Sequence, residues 1–100
     1  MSGPLSGVKV IEVGQALAGP LAGVILADMG AEVIKVEKPD GGDDARLWGP
    51  PFVGDDSVSF HTNNRGKKSI TLDIKKAEDV AALKALAKDA DILIQNLRPG

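Results

Sequence analysis

Apolar and polar residues repeat with two different periods along the chain, and the changes of period outline its secondary structure. Residues 8–13 (VKVIEV) are β-branched with little polar interruption, which is typical of a strand buried on both faces of a parallel sheet. Helical spacing follows, with Pro20 suited to a first helical turn and Gly30 to a helix end. Residues 32–36 (EVIKV) predict a second strand. Strand, helix and strand in this order predict a right-handed βαβ unit.

The middle of the chain shows no sustained period. Residues 38–68 are rich in turn-forming pairs and triplets, which predicts a long connection without regular structure. Such connections are uncommon in compact domains, so this one is expected to be functional or to be ordered by something outside the chain. Phe60 and Trp48 are the side chains expected to fasten it.

A second βαβ pattern follows. Residues 69–74 alternate, which predicts a strand with one buried face, and residues 77–90 carry an apolar stripe at helical spacing. Residues 91–95 (DILIQ) predict another buried strand. The predicted fold class is therefore α/β, a Rossmann-like, doubly wound and mainly parallel sheet that occupies residues 1–100 as one region.

Composition and charge narrow the functional classes. The chain of 100 residues has a net charge of −2 and no cysteine, so nucleic-acid partners, disulfides and thiolate metal sites are not expected. Neither a signal peptide nor an apolar run of about 20 residues is present, so we expect a cytoplasmic protein without a membrane partner. Arg98-Pro99-Gly100 opens a loop directly after an apolar run, which predicts a truncated chain or a fragment.

The first strand–helix turn is the natural ligand site, because ligands of parallel sheets bind beyond the carboxyl ends of the strands. Gly14 and Gly19 have the spacing of a P-loop, but Pro20 stands where that motif needs lysine, so a P-loop is excluded. Gly14, Gly19 and Gly23 also miss the dinucleotide GxGxxG spacing. Glu37 does resemble the ribose-binding acid of that motif, so NAD stays open as a ligand at this point.

Several charged residues have both a functional and an unremarkable interpretation. Lys38 ends the second strand and could hold a phosphate or be a solvated loop lysine. Asp43 and Asp44 suit a Gly-rich turn better than a metal site, and no metal is predicted. His61 stands in no nucleophile motif and is expected at the surface. Residues 65–68 (RGKK) could attract phosphates, but basic runs are usually solvated.

Four segments in a fixed order together resemble the family III CoA-transferases, which also include α-methylacyl-CoA racemases and carnitine- or formyl-CoA transferases. No single segment is specific, but the combination is, and it covers nearly the whole chain. The segments are residues 10–12 with 17–20, residues 26–37 with 42–46, residues 64–75 and residues 90–100.

The resemblance implies a Rossmann-like N-terminal domain whose strand-end loops bind CoA, in an intertwined homodimer. It assigns Lys38 to the nucleotide phosphates and the end of the third predicted strand to the adenine side. Relatives often carry Ser-Arg where this chain has residues 14–16 (GQA), and some carry Arg at position 38, so a bidentate phosphate contact is lost here. The implied CoA contacts are Leu17, Ala18, Lys38, Leu72, Asp73, Ile74, Lys75, Asn96, Leu97 and Arg98.

The resemblance also implies the chemistry. In the transferases an aspartate attacks an acyl-CoA thioester to give a mixed anhydride and then an enzyme–CoA thioester, from which CoA passes to a carboxylic acid acceptor. That aspartate is expected beyond Gly100, so these residues alone are expected to be inactive. CoA is then a substrate, and no permanently bound cofactor is predicted. A racemase of the same family and a non-catalytic nucleotide-binding module remain the alternatives.

Overall fold

A computed structural model describes residues 3–13 and 18–96 of the chain. Within them, helices and strands alternate. In chain order the elements are β1 (Lys9–Val13), α1 (Ala18–Asp28), β2 (Glu32–Glu37), a 3-10 turn (Asp44–Leu47), β3 (Phe52–Val53), β4 (Asp56–Ser57), α2 (Val58–Asn64), β5 (Lys68–Thr71), α3 (Ala77–Lys88) and β6 (Ile92–Gln95).

Four of the strands form one parallel sheet in the order β5-β2-β1-β6. In the register of this sheet, Ile11 of β1 lies between Ile34 of β2 and Leu93 of β6. The chain moves outward from β1 to β2 and β5 and then returns to the opposite side of β1. The order therefore reverses between β1 and β6, where doubly wound sheets bind ligands.

The two faces of the sheet are covered by different helices, because successive strand residues point to opposite faces. Helix α1 packs through Leu26 and Ala27 onto one face, and α3 packs through Leu83 and Leu86 onto the other. The predicted doubly wound α/β fold is confirmed. No helix in the described ranges is long and apolar enough to cross a membrane. The buried apolar residues of the sheet are Val10 and Val33 on the α1 side, and Ile11, Val13 and Val36 on the α3 side.

The prediction that residues 38–68 form a connection without regular structure is wrong. It contains the 3-10 turn, the β3–β4 hairpin and α2, each too short to leave a sustained period in the sequence. Phe60 is buried beneath the Arg46 guanidinium, which lies 3.9 Å from the ring centroid. Trp48 is 52% exposed, so only one of the two expected aromatic anchors fastens this segment.

The last two strands of the sheet differ from their predictions. β5 ends at Thr71 instead of residue 74, because Asp73 turns the chain by accepting a hydrogen bond from the Lys75 amide. β6 was predicted to be buried, yet Ile92 and Leu93 are 37% and 57% exposed. In the sheet as described β6 pairs only with β1, so a sequence pattern typical of a central strand belongs here to an outer one.

Candidate ligand-binding site

A cavity of about 440 Å³ opens at the carboxyl edge of the sheet, where β2 and β5 end. Apolar side chains at the ends of β1 and β2 form part of its lining, and the loops after β2 and β5 supply its charged rim. The cavity brings together five of the predicted site residues, which lie up to 37 positions apart in the sequence. The lining residues are Val13, Val36, Glu37, Lys38, Pro39, Asp40, Leu72, Asp73, Ile74 and Lys75.

Two other predicted residues lie at the β1–β6 end of the same edge. Ala18 begins α1, and Asn96 directly follows β6. A Cβ atom on Gly19 would lie 3.2 Å from the Asn96 side chain, so the missing side chain at Gly19 lets the helix approach this asparagine. Since β1 separates β2 from β6, this group and the cavity are neighbours along one edge. Leu17, Leu97 and Arg98 fall outside the described residues.

The rim of the cavity carries solvent-exposed charges. Lys38 Nζ lies 2.6 Å from Asp44 Oδ1, and the two side chains are 43% and 61% exposed. The hydrogen bond that Lys38 donates to the Asp44 carboxylate raises the pKa of Lys38, so the ammonium is retained at neutral pH. On the other side, Asp73 Oδ1 accepts from the Lys75 amide at 3.0 Å and fixes the turn that places Lys75. The rim therefore offers two cations to an anionic ligand.

Glu37 lines the cavity but is fully engaged by the protein. The Arg46 guanidinium donates to both carboxylate oxygens at 2.8 and 2.7 Å, the Asp43 amide donates to Oε1 and the Ser69 hydroxyl donates to Oε2. Burial alone would raise the pKa of Glu37, but these hydrogen bonds outweigh it and lower the pKa to about 2. The carboxylate thus has a structural role. Glu37 was the one feature that favoured NAD as a ligand, through a contact with its ribose, and that support is removed.

A cluster of four buried charges lies beneath this edge, and sequence reasoning missed it. Lys35 Nζ lies 2.8 Å from Glu12 Oε2 and 2.9 Å from Asp43 Oδ2, and Lys67 Nζ lies 2.6 Å from Glu12 Oε1. All four side chains are at most 2% exposed. One signal was available, because Glu12 and Lys35 are opposite charges inside two apolar strands and are direct neighbours in the register.

Lys67 ties this buried cluster to two helices. Its ammonium donates to the Pro20 carbonyl of α1 at 2.8 Å and to Asn64 Oδ1 of α2 at 2.7 Å. Burial lowers its pKa in spite of the nearby Glu12 carboxylate. A side chain at Gly23 would collide with Glu12 Oε1, so the glycine admits the cluster against α1. The expectation of a solvated basic run is wrong for Lys67.

Two other candidate residues lie at the surface, and Asp43, a member of the buried cluster, also forms a turn. Arg65 forms an exposed ion pair with Asp28, as expected for a solvated basic residue. His61 is exposed on α2, with Nε2 3.2 Å from the Val53 carbonyl oxygen. Asp43 is a turn former, since its Oδ1 accepts from the Ala45 amide at the start of the 3-10 turn.

Comparisons with known proteins identify relatives of this chain. The succinate–glutarate CoA-transferase of Agrobacterium fabrum is 52% identical over 95% of this chain, which covers 25% of that protein. The human succinyl-CoA:glutarate CoA-transferase is 50% identical over 97% of this chain, which covers 22% of it. The chain thus spans about a quarter of the length of these curated relatives.

Solved structures also match this chain in fold. A CAIB/BAIF family protein from Brucella suis superposes with a TM-score of 0.90 at 46% identity, over 97% of this chain and 26% of that one. A putative betaketoacyl-ACP reductase, with a TM-score of 0.61 and 22% identity, shares the fold alone. The sequence model of CoA-transferase family III matches residues 5–100. The chain therefore belongs to CoA-transferase family III.

Proposed function

We propose that these residues form the CoA-binding N-terminal part of an acyl-CoA:carboxylic acid CoA-transferase. The observation that carries the proposal is the cavity at the carboxyl edge, whose rim combines Lys38 and Lys75 with the apolar side chains of Leu72 and Ile74. CoA has the matching chemistry, since it joins an aromatic base to several phosphate groups. Relatives that match this chain are CoA-transferases acting on succinate, glutarate and oxalate by name, so a small carboxylic acid is the proposed acceptor.

In this proposal each part of the edge has its own role. Lys38 and Lys75 provide point charges for phosphate oxygens, and Leu72, Asp73 and Ile74 flank the adenine. The pantetheine arm and the thioester are assigned to the other predicted contacts, which are Leu17, Ala18, Asn96, Leu97 and Arg98. The list of CoA contacts inferred from the sequence remains a prediction for these residues.

The covalent step requires a carboxylate that we place outside these 100 residues. There an aspartate would attack the thioester carbon, the carbon–sulfur bond would break, and CoA would leave as the thiolate. The contribution of this chain is to hold the nucleotide end of CoA, which positions the thioester for that attack. We also propose a cytoplasmic homodimer, on the resemblance of the sequence to intertwined family members.

Calorimetric titration with CoA and with NAD tests the proposal. CoA is expected to bind more tightly than NAD, and Lys38→Ala is expected to weaken CoA roughly tenfold by removing a charge-assisted phosphate contact. Lys76→Ala is the matched control, because Lys76 is an exposed lysine that does not line the cavity. A preference for NAD, or equal losses in both variants, would contradict the proposal.

Turnover separates the enzyme from its alternatives. A transferase moves CoA from an acyl-CoA to a free carboxylic acid, whereas a racemase exchanges the hydrogen at the carbon next to the thioester, so product analysis distinguishes them. The 100 residues alone are expected to show little or no turnover. Full activity from them would contradict the placement of the aspartate, and CoA binding without activity in the whole protein would favour a non-catalytic module.

A further inference from the structure

The ammonium of Lys38 already has an anionic partner. Its Nζ lies 2.6 Å from Asp44 Oδ1, at the start of the 3-10 turn that follows the β2 loop. Lys38 lines the cavity, whereas Asp44 is not among the lining residues. A ligand phosphate that reaches Lys38 from the cavity therefore meets a cation that a carboxylate of the same chain holds from another side.

We propose that Asp44 is an affinity-determining residue that competes with the phosphate of the ligand for the ammonium of Lys38. The identity of the ligand rests on the proposed function, but the competition itself requires only a phosphate group. Asp44 thus acts as an internal substitute anion in the unliganded protein, and binding exchanges the carboxylate for a phosphate.

The exposure of the pair makes this exchange favourable. An exposed ion pair contributes at most about a fivefold effect, because water solvates both charges well, so little is lost when the carboxylate is displaced. A phosphate monoester carries nearly two negative charges and three acceptor oxygens, against one charge on the carboxylate. The phosphate is therefore the stronger partner, and Asp44 lowers the net affinity without preventing binding.

The neighbouring carboxylates provide an internal comparison. The charge of Asp40 acts on Lys38 as well, and Asp40, unlike Asp44, lines the cavity. Within the described residues Asp40 and Lys38 share no hydrogen bond. Asp44 does not line the cavity, and its carboxylate accepts the hydrogen bond that Lys38 donates. Removing the charge of Asp40 changes only the electrostatic potential at the rim. Removing the charge of Asp44 changes that potential and also frees the Lys38 ammonium from its hydrogen-bonded carboxylate.

A double-mutant cycle tests the competition. The affinity for CoA and for 3′-dephospho-CoA would be measured by calorimetry at about 20 mM salt, where exposed charges are screened least. Asp44→Asn is expected to tighten CoA binding about two- to fivefold, and Asp40→Asn by less. In the Lys38→Met background the gain from Asp44→Asn is expected to fall to the size of the Asp40→Asn gain, which comes from the field alone. If the gain falls in the same way with 3′-dephospho-CoA, Lys38 holds the 3′-phosphate, and if it persists Lys38 holds the pyrophosphate.

Three results would overturn the proposal: weaker CoA binding in Asp44→Asn, a gain no larger than that of Asp40→Asn, or a gain that is undiminished in Lys38→Met. Unfolding midpoints are expected to agree across the variants, because the exposed residues carry no core packing. A wild-type protein that does not bind CoA contradicts the proposed function. Inorganic pyrophosphate then replaces CoA in the same cycle, and a protein that binds neither contradicts both proposals.

Discussion

Two sets of charges lie a few residues apart at the same edge of the sheet, and they differ in almost every physical respect. The buried cluster of Glu12, Lys35, Asp43 and Lys67 contains two anions and two cations within 2.6 to 2.9 Å of their partners. The rim pair of Lys38 and Asp44 is equally short but about half exposed. Distance alone therefore does not distinguish them, whereas burial does.

Burial decides whether a charge can change its partner. Inside the protein an unpaired charge costs several kcal/mol, so each member of the buried cluster requires the others and the cluster fixes β1, β2 and α1 relative to one another. At the rim water can take the place of either partner, so a ligand can displace Asp44 at little cost. The buried cluster belongs to the framework of the site, and the rim is the part available for recognition.

The largest effect is expected from breaking the buried cluster. Lys35→Met leaves Glu12 and Asp43 buried without this cation, and we expect a loss of about 3–5 kcal/mol in the free energy of unfolding. Lys68→Met is the matched control, since Lys68 lies in β5 and forms an exposed contact of 3.5 Å with Glu32. The free energy of unfolding of Lys68→Met is expected to change by no more than about 0.5 kcal/mol.

Denaturant unfolding followed by circular dichroism measures both changes. A chain of this size has a small stability margin, so Lys35→Met is expected to unfold at a much lower denaturant concentration than Lys68→Met. Equal losses in the Lys35 and Lys68 variants would show that the buried cluster has no special structural role.

The next effect concerns Glu37, which links the buried framework to the cavity. Its pKa is about 2 in the folded chain against an ordinary value of 4.5. The unfolded chain therefore takes up a proton first as the pH falls. The stabilisation is complete above about pH 4.5 and is lost progressively between pH 4.5 and 2, and it amounts to about 3 kcal/mol.

Unfolding measured at pH 7, 4.5 and 3 detects this contribution. Glu37→Gln is expected to be less stable at pH 7 and to lose less further stability on acidification than the wild type. Glu32→Gln serves as the control, because Glu32 is an exposed residue of the same strand. Wild type and Glu37→Gln with the same acid slope would contradict the assignment.

The smallest effect is expected at the rim. Lys75→Met removes one exposed cation of the cavity, and we expect CoA to bind a few-fold more weakly with an unchanged free energy of unfolding. Lys76→Met, one residue further along and outside the cavity lining, is expected to change neither quantity. A loss of stability in Lys75→Met would place this lysine in the framework instead of the rim.

The predictability of the fold differs between its central and outer parts. The pattern of residues 8–13 and 32–36 predicted β1 and β2 within one residue at each end, because strands buried on both faces must be apolar nearly throughout. The short elements between Asp44 and Asn64 were missed. They are held by polar contacts such as Ser57 capping α2, which produce no period in the sequence.

The candidate site was predicted from the ends of the strands, and its framework was not. Five predicted contacts meet at one cavity, since parallel strands bring their carboxyl ends to one edge. The roles of Lys67 and Lys38 were not separable from the sequence, because both are lysines in Gly-containing loops. One is buried against Glu12 and the other is exposed beside Asp44.

The sequence by itself determined the family and the alternation of strands and helices, and it predicts the edge at which a ligand would bind. Those properties follow from residue order and local periodicity, which folding does not alter. The tertiary structure alone decided which charges are buried and which partner each one has. Burial and pairing depend on residues such as Glu12 and Lys67, which lie 55 positions apart and meet only when β1, α1 and the segment before β5 pack together.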